Sequence, residues 1–335
     1  MLTEAPLDAD AALAPLERFP SLLLAVSGGP DSTALMLLAA AWSRREQHKI
    51  EVATVDHGLR PGAREEAQSV GAAAQALGFA HHLLVWEGEK PDSRLQERAR
   101  DARYALLAAC ARGMEPPGAI VTAHHAEDQA ETILFRLTRG SGVAGLAGMA
   151  PESRVCDAPL LRPLLGASKA ALIAICDAAG CAYIHDPSND NPAFARVRLR
   201  GLAATLADQG LGAEALRRLG ARAAAAEAAL CFAAARLEAA ALLTRDDDAA
   251  QLSAAVLRDA PPELVRRILA REILAFGEAR SLRLDALERA AQRVAEALAA
   301  RRALRLTLAG ALIACRGDRI LVSRAPPRRN MTAPG

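Results

Sequence analysis

Four stretches of the chain carry polar and charged residues at spacings that suit chemistry. Ser27-Gly28-Gly29-Pro30-Asp31-Ser32 lies between an apolar run, Leu22 to Val26, and a stretch with Leu35, Leu38 and Trp42 at helical spacing. The glycines open backbone conformations closed to other residues and let a ligand approach the chain. Backbone N–H groups at a helix start then face the strand's carboxyl end, which makes an anion seat. Ser27 and Ser32 add hydroxyl donors. Asp31 stands where a Walker loop needs Lys, and no G-x-G-x-x-G is present. Val55-Asp56-His57-Gly58-Leu59-Arg60 follows a second strand-like run and falls over the same crevice, where an adenosine fits. Arg100, Arg103 and Tyr104 fall at i, i+3 and i+4 and share a helix face. That face suits phosphate or a stacked base, although a solvated face is the commoner fate of such a run. In Thr122 to Thr132, helical periodicity puts His124, Asp128 and Glu131 on one side. The order is not H-E-x-x-H, so the metal reading is weak and no metal ligands are assigned. Two carboxylates can hold an ammonium ion, and an imidazole can take its proton.

Positioning these groups takes an α/β scaffold. Short apolar runs at 22–26, 50–55, 82–86 and 119–123 alternate with helical stretches at 31–46, 63–77, 92–112 and 126–139, the pattern of a parallel sheet. Residues 140–148 are Gly-rich and read as a structured loop. Residues 168–179 read as a helix, and Asp186 to Pro192 is dense in turn residues. From about 212 to 243 the chain is Ala-rich and helical, with a break at Asp246–Asp248 and helices after Pro261-Pro262 and over 284–301. The tail alternates at Leu304, Leu306 and Leu308, then from Leu312 to Cys315, then at Ile320 and Val322, as a small antiparallel sheet would. These patterns predict a domain over 1–210 and a mainly helical one over 211–335.

The 335 residues are 52% hydrophobic and 24% charged, which supplies core material and excludes wholesale disorder. The net charge of +2 hides a division. Residues 1–200 carry 20 basic and 24 acidic side chains, whereas 201–335 carry 21 and 15. An acidic front and a basic tail suggest catalysis joined to polyanion binding. Six cysteines form no Cys-x-x-Cys, so a zinc site or a disulfide framework is not expected. The start is acidic and no apolar run approaches ~20 residues, so neither a secretory signal nor a membrane span is expected, and the cytoplasm is.

The motifs together resemble the tRNA(Ile)-lysidine synthetase family of the PP-loop ATP pyrophosphatases. The resembling elements are S-G-G-x-D-S at 27–32, V-D-H-x-L-R at 55–60, an Arg-rich helix ending Ala102-Arg103-Tyr104, and His124-His125 with Asp128, Gln129 and Glu131. Arg139 to Met149, Arg162-Pro163-Leu164-Leu165 and Asp186-Pro187-Ser188-Asn189 with Arg196 and Arg200 follow in order. Glu127 stands where the family has Asp, and Val197 where it has Asn. The resemblance implies a Rossmann-like PP-loop domain of the adenine nucleotide alpha hydrolase type. It implies a C–N-forming ligase that uses ATP and Mg²⁺ to join free L-lysine to the wobble cytidine of a CAU-anticodon tRNA(Ile). The base is first adenylylated on its C2 oxygen, pyrophosphate leaves, and the lysine ε-amine then displaces AMP. ATP falls to Ser27, Gly28, Gly29, Pro30, Asp31, Ser32, Asp56 and His57. Lysine falls to Asp128 and Glu131, its proton to His124, and the phosphates or the adenylylated base to Arg103 and Arg196, with Asp31 of the loop counted among the catalytic residues. The alternative is another PP-loop tRNA-modifying ligase; a thiolase would need paired reactive cysteines. No membrane contact or protein partner is indicated, and the oligomeric state is open.

Overall fold

The computed structural model describes residues 7–44, 48–59, 62–88, 90, 95–184, 195–279 and 281–326, with the side chains of 195–197 excepted. Two compact units divide the chain, Met1–Ala224 and Ala225–Gly335. This boundary lies inside one Ala-rich helix, whereas the sequence pattern places it near 210, before that helix begins.

In the first unit α1 (Ala9–Leu13) leads to β1 (Ser21–Ala25) and α2 (Pro30–Ser43). β2 (Lys49–Asp56), α3 (Ala63–Ala76), β3 (Ala80–Val85), α4 (Leu95–Gly113), β4 (Ala119–Val121) and α5 (Ala126–Leu137) follow. Then come α6 (Val143–Leu146), β5 (Glu152–Val155), β6 (Ala158–Leu161), α7 (Lys169–Ala178), α8 (Ala195–Gly201), α9 (Ala203–Asp208) and α10 (Ala213–Ala241), which enters the second unit. The sheet order is β3-β2-β1-β4-β6-β5, parallel except for β5 against β6. Every residue of β1 is buried, because helices cover both faces of the central strand. Leu22, Leu24, Leu35 and Met36 form one core layer; Leu23, Leu107, Ile120 and Leu160 form the other. The order reverses direction between β1 and β4, so loops after these strands open a crevice at their carboxyl ends.

Two expectations change. Residues 143–146 form a short helix, α6, inside the Gly-rich stretch expected to be all loop. Backbone bonds onto Gly142 and Val143 carbonyls make the turn despite the glycines. The terminal sheet is also larger than the tail pattern predicts.

The second unit continues α10 into β7 (Leu242–Arg245), β8 (Ala249–Ser253), α11 (Ala254–Arg258), α12 (Pro262–Phe276), α13 (Leu284–Ala299), β9 (Leu304–Leu308), β10 (Ala311–Arg316) and β11 (Arg319–Arg324). Its five strands run in the order β7-β8-β11-β10-β9, all antiparallel. Ala250, Leu252, Ile313, Ile320 and Val322 point inward at period two and join Ile268, Leu269, Ile273 and Val294 of α12 and α13 in one core. The β7–β8 hairpin was hidden because β7 is exposed throughout and its turn reads only as a charged break. There Asp246 Oδ1 accepts the backbone N–H groups of Asp248 (2.9 Å) and Ala249 (2.8 Å), an Asx turn.

Glu272 of α12 is fully buried in this unit and pairs with Arg245, which also meets Glu238 at 3.2 Å. Burial pushes the Glu272 carboxyl up to about 7; the repulsion of Glu238 adds to this and Arg245 offsets part of it. A carboxyl raised on folding contributes stability that is present below its unfolded value and is lost as pH rises through its folded one. Glu272→Gln therefore gains on the unaltered protein in urea midpoint as pH rises from 5 to 8. A pH-independent difference contradicts this.

A crevice with an acidic side and a basic side

β1 delivers Val26 to the crevice, and the chain then turns sharply into α2. Gly28 has φ +85°, and a Cβ there would lie 2.6 Å from Ile184 Cδ1 and 3.0 Å from Val70 Cγ2. Both conformation and space thus require glycine. Ser32 Oγ accepts the Ser27 backbone N–H (3.1 Å) and donates to the Gly29 carbonyl (3.1 Å), and it lies 3.3 Å from Ser27 Oγ. Gly29 caps α2 and Pro30 fills its first turn, where a missing N–H costs nothing. A pre-shaped loop and the positive end of a 14-residue helix face the crevice.

Next to this loop, His125 ends the β4–α5 connection as the N-cap of α5. Its backbone N–H donates to Asp128 Oδ2 at 3.1 Å, an N3 carboxylate reaching back to the cap. Its ring meets three carboxylates: Nδ1 lies 2.9 Å from Glu127 Oε2, and Nε2 lies 3.5 Å from both Asp31 Oδ2 and Asp128 Oδ2. Burial opposes charge on this ring, but the bonds to Asp31 and Glu127 and the charge of Asp128 outweigh it and push its pKa up to about 10. The three carboxylates favour the imidazolium form of His125 at neutral pH. Burial works against ionisation of Asp31, yet His125, with Lys169 and Arg200, holds it below its usual range. For Asp128 burial wins, aided by Glu131 and Asp31, and its proton affinity is raised.

His124, one residue earlier, has the opposite fate. It lies before α5, bonded through Nδ1 to Thr122 Oγ1 at 2.9 Å. Burial first, then Arg103, Arg162 and Arg100, drive it down to about 3. His57 beyond β2 is likewise lowered, by burial and then Arg103. Arg100 and Arg103 of α4 stand 5.0 and 6.0 Å from the ring of buried Tyr104, which places them on the shared face the spacing predicts. Arg162 is buried and donates to the Ala150 carbonyl (2.7 Å) and Ser153 Oγ (3.0 Å). One side of the crevice is acidic around a trapped cation; the other is basic with neutral imidazoles.

The structure brings Asp31 and Asp128 together, through His125. Glu131 instead takes a two-pronged bond from Arg200 of α8, Nε–Oε1 2.6 Å and Nη2–Oε2 3.0 Å. Asp56 Oδ1 accepts the Gly58 N–H at 2.8 Å and shapes the loop that carries His57. The Arg196 side chain lies outside the described residues, as do Arg60 and 185–194. Reasoning from spacing missed His125 and Arg200. The signal for His125 was its place directly before an acidic first turn. Glu127 is explained by its reach: besides His125, its carboxylate accepts the Lys169 N–H at the start of α7 (3.0 and 3.2 Å). Among the described residues, no cluster of three His, Cys, Asp or Glu side chains forms a metal cage, and no helix is long and apolar enough to cross a membrane.

Residues 5–205 match the PP-loop domain family. The chain is 49% identical over 318 residues to a tRNA(Ile)-lysidine synthase of Methylobacterium sp. (strain 4-46), covering 94% of this chain and 92% of the relative. The chain belongs to the tRNA(Ile)-lysidine synthase family. A second member, from Bradyrhizobium sp. (strain BTAi1 / ATCC BAA-1182), is 44% identical over 96% of this chain and 95% of its own length. In fold the chain is similar to the U34-tRNA thiolase NcsA from Methanococcus maripaludis, with TM-score 0.53 and 14% identity over 64% of this chain and 77% of that one.

Glu127 ties α5 to α7 and to the trapped cation. Glu127→Ala should lower stability by about 1 kcal/mol, below the usual range for charged hydrogen bonds because the carboxylate is partly exposed to screening solvent. Glu127→Asp should recover only part, since the shorter arm cannot serve both partners. Urea denaturation checks this, and full recovery by Asp contradicts it.

Proposed function

We propose that the two sides of the crevice serve the two halves of lysidine formation in tRNA(Ile), the reaction of this ligase family. ATP places its phosphates on the Ser27–Ser32 loop and the start of α2. The C2 oxygen of the CAU-anticodon wobble cytidine attacks the α-phosphorus and pyrophosphate leaves. Arg103 stands on the basic side, where phosphate charge accumulates, and Arg196 is assigned with it by family pattern. The ε-amine of lysine then attacks C2 and AMP departs. Asp31 Oδ1 is buried without a protein partner, so Asp31 would hold a Mg²⁺ there. When bound, that ion neutralises phosphate charge.

The observation that carries the lysine half is a cavity of ≈ 410 Å³ lined by Ala130, Leu134, Leu199, Leu206 and Leu216, with Glu131 and Arg200 among its polar residues. Apolar walls suit four methylenes, and a carboxylate suits an ammonium. Asp128, on the same helix as Glu131, is the second anion. The charge states change the expected proton route. His125 already carries its proton, and His124, at about 3, is a weak base. Asp128 has the raised proton affinity, so it receives the proton the amine sheds, while His124 stays neutral beside the base.

In the second unit Arg301, Arg302, Arg305, Arg316, Arg319 and Arg324 are all exposed, and they are the partner we assign to the tRNA backbone. Replacing Arg305, Arg316 and Arg324 by Gln should weaken tRNA binding and flatten its salt dependence while ATP binding persists. Unchanged tRNA affinity contradicts this.

Asp128→Asn and Glu131→Gln should both retain tRNA-dependent pyrophosphate release; Glu131→Gln should raise the KM for lysine about ten- to hundred-fold, the worth of a charge-assisted bond, and Asp128→Asn should also slow lysine transfer. Equal loss of both steps contradicts the division of labour.

A further inference from the structure

An indole and an ammonium at the ends of β2 and β3 have no part in the chemistry above. Trp86 follows β3 and donates its backbone N–H to the Asp56 carbonyl (2.8 Å), which fastens it to the loop carrying His57. His57 meets the indole edge-on, with ring centroids 6.0 Å apart and planes at 87°. His57 Nδ1 is buried and has no partner in the protein. Over the Trp86 face sits Lys90 Nζ, 4.2 Å from the ring centroid, and it also donates to the Trp86 carbonyl. Lys90 reaches Gly58 as well: its Nζ is 3.9 Å from where a Gly58 Cβ would stand.

The contrast with Trp42 is instructive. Trp42 is buried in the core and stacked flat on His48, centroids 4.7 Å apart and planes at 13°. Trp86 is half-buried, and the group on its face is a hydrated point charge. A cation on a partly exposed indole is held weakly, and a lysine gives way more easily than an arginine plate. The chain has three lysines among 41 basic residues, so one on an aromatic face is not a product of composition.

Topology says what displaces it. β2 pairs with β1 up to Ala25↔Ala53 and then runs on to Asp56, which pairs with Val85. His57 and Trp86 therefore rise past the phosphate loop on the β2–β3 side. Asp128, Glu131 and the cavity lie on the other side, on and beside the helix that follows β4. With lysine on the β4 side, as in the proposed function, a nucleotide on the loop would turn its α-phosphorus that way and its base toward β2 and β3.

We propose that Trp86 is a stacking platform for the purine of the nucleotide held by the Ser27–Ser32 loop, and that Lys90 covers the indole face until the base displaces it. This rests on the nucleotide reading of the loop given under the proposed function. The unspent His57 Nδ1 then lies beside the base, able to make one hydrogen bond to it.

The two tryptophans make a direct test possible, because the difference between the unaltered protein and Trp86→Phe isolates the emission of Trp86. AMP and ATP should quench that emission, and inorganic pyrophosphate should not. By calorimetry, Trp86→Ala should weaken AMP binding about five- to hundred-fold, the range for loss of one base stack. Trp86→Phe should stay within a few-fold and serves as the folding control. Lys90→Ala, which removes the competing cation, should tighten AMP about two- to five-fold. In turnover, Trp86→Ala should raise the KM for ATP and leave the KM for lysine unchanged. AMP binding with no change in Trp86 emission overturns the proposal, as does quenching that needs an anticodon stem-loop RNA. In both cases the nucleotide reading of the loop survives. Failure of the unaltered protein to bind any nucleotide overturns that reading and this one together.

Discussion

His125 is buried deeply enough that a neutral ring would be the default, and three carboxylates reverse that preference. The ion so formed belongs to three segments at once. Asp31 comes from the start of α2, Asp128 from the first turn of α5, and Glu127 reaches on to the first N–H of α7. The phosphate loop and two helix starts are therefore held in register by one charge. A histidine whose pKa rises on folding contributes stability that is complete below its unfolded value and fades only as pH climbs through about 10. The contact holds through the whole neutral range. Without it Asp31 and Asp128 would face each other in a buried crevice, and one of them would have to take up a proton.

The neighbouring ring shows how local such control is. His124 and His125 are adjacent in the chain but face opposite ends of the field, one toward Arg100, Arg103 and Arg162, the other toward carboxylates. A two-step ligation needs this separation. Phosphoryl chemistry calls for cations and for bases that stay uncharged. Amine chemistry calls for anions, one of them ready to accept a proton. Asp128 suits the proposed role of proton acceptor, because burial raises its proton affinity while its neighbour Asp31 is held below its usual range.

Much of this was legible in residue order. The Ser-Gly-Gly turn, the apolar β1 run and the face shared by Arg100, Arg103 and Tyr104 follow from local rules, and local rules held. The tail strands were legible because Leu304 to Val322 alternates at period two. What failed depended on contacts between distant segments. Spacing put His124 with Asp128 and Glu131, but the helix begins at Ala126, so His124 is outside its periodicity. The partner of Glu131 is Arg200, which no local pattern pairs with it. The β7–β8 hairpin escaped because β7 is exposed and lacks alternation, so its only mark was the turn at Asp246. The net charge of +2 carried little; its distribution between an acidic front part of the chain and the exposed arginines of the tail carried more.

The central claim is that two adjacent histidines hold opposite charge states and thereby divide the crevice. Titration of the ring nitrogens of His124 and His125 by NMR, with His124→Asn and His125→Asn for assignment, tests it most directly. The account predicts that His125 remains doubly protonated from pH 5 to pH 9, while His124 stays neutral throughout that range. Two rings titrating together near pH 6.5, or a neutral His125 beside Asp31 and Asp128, would contradict it.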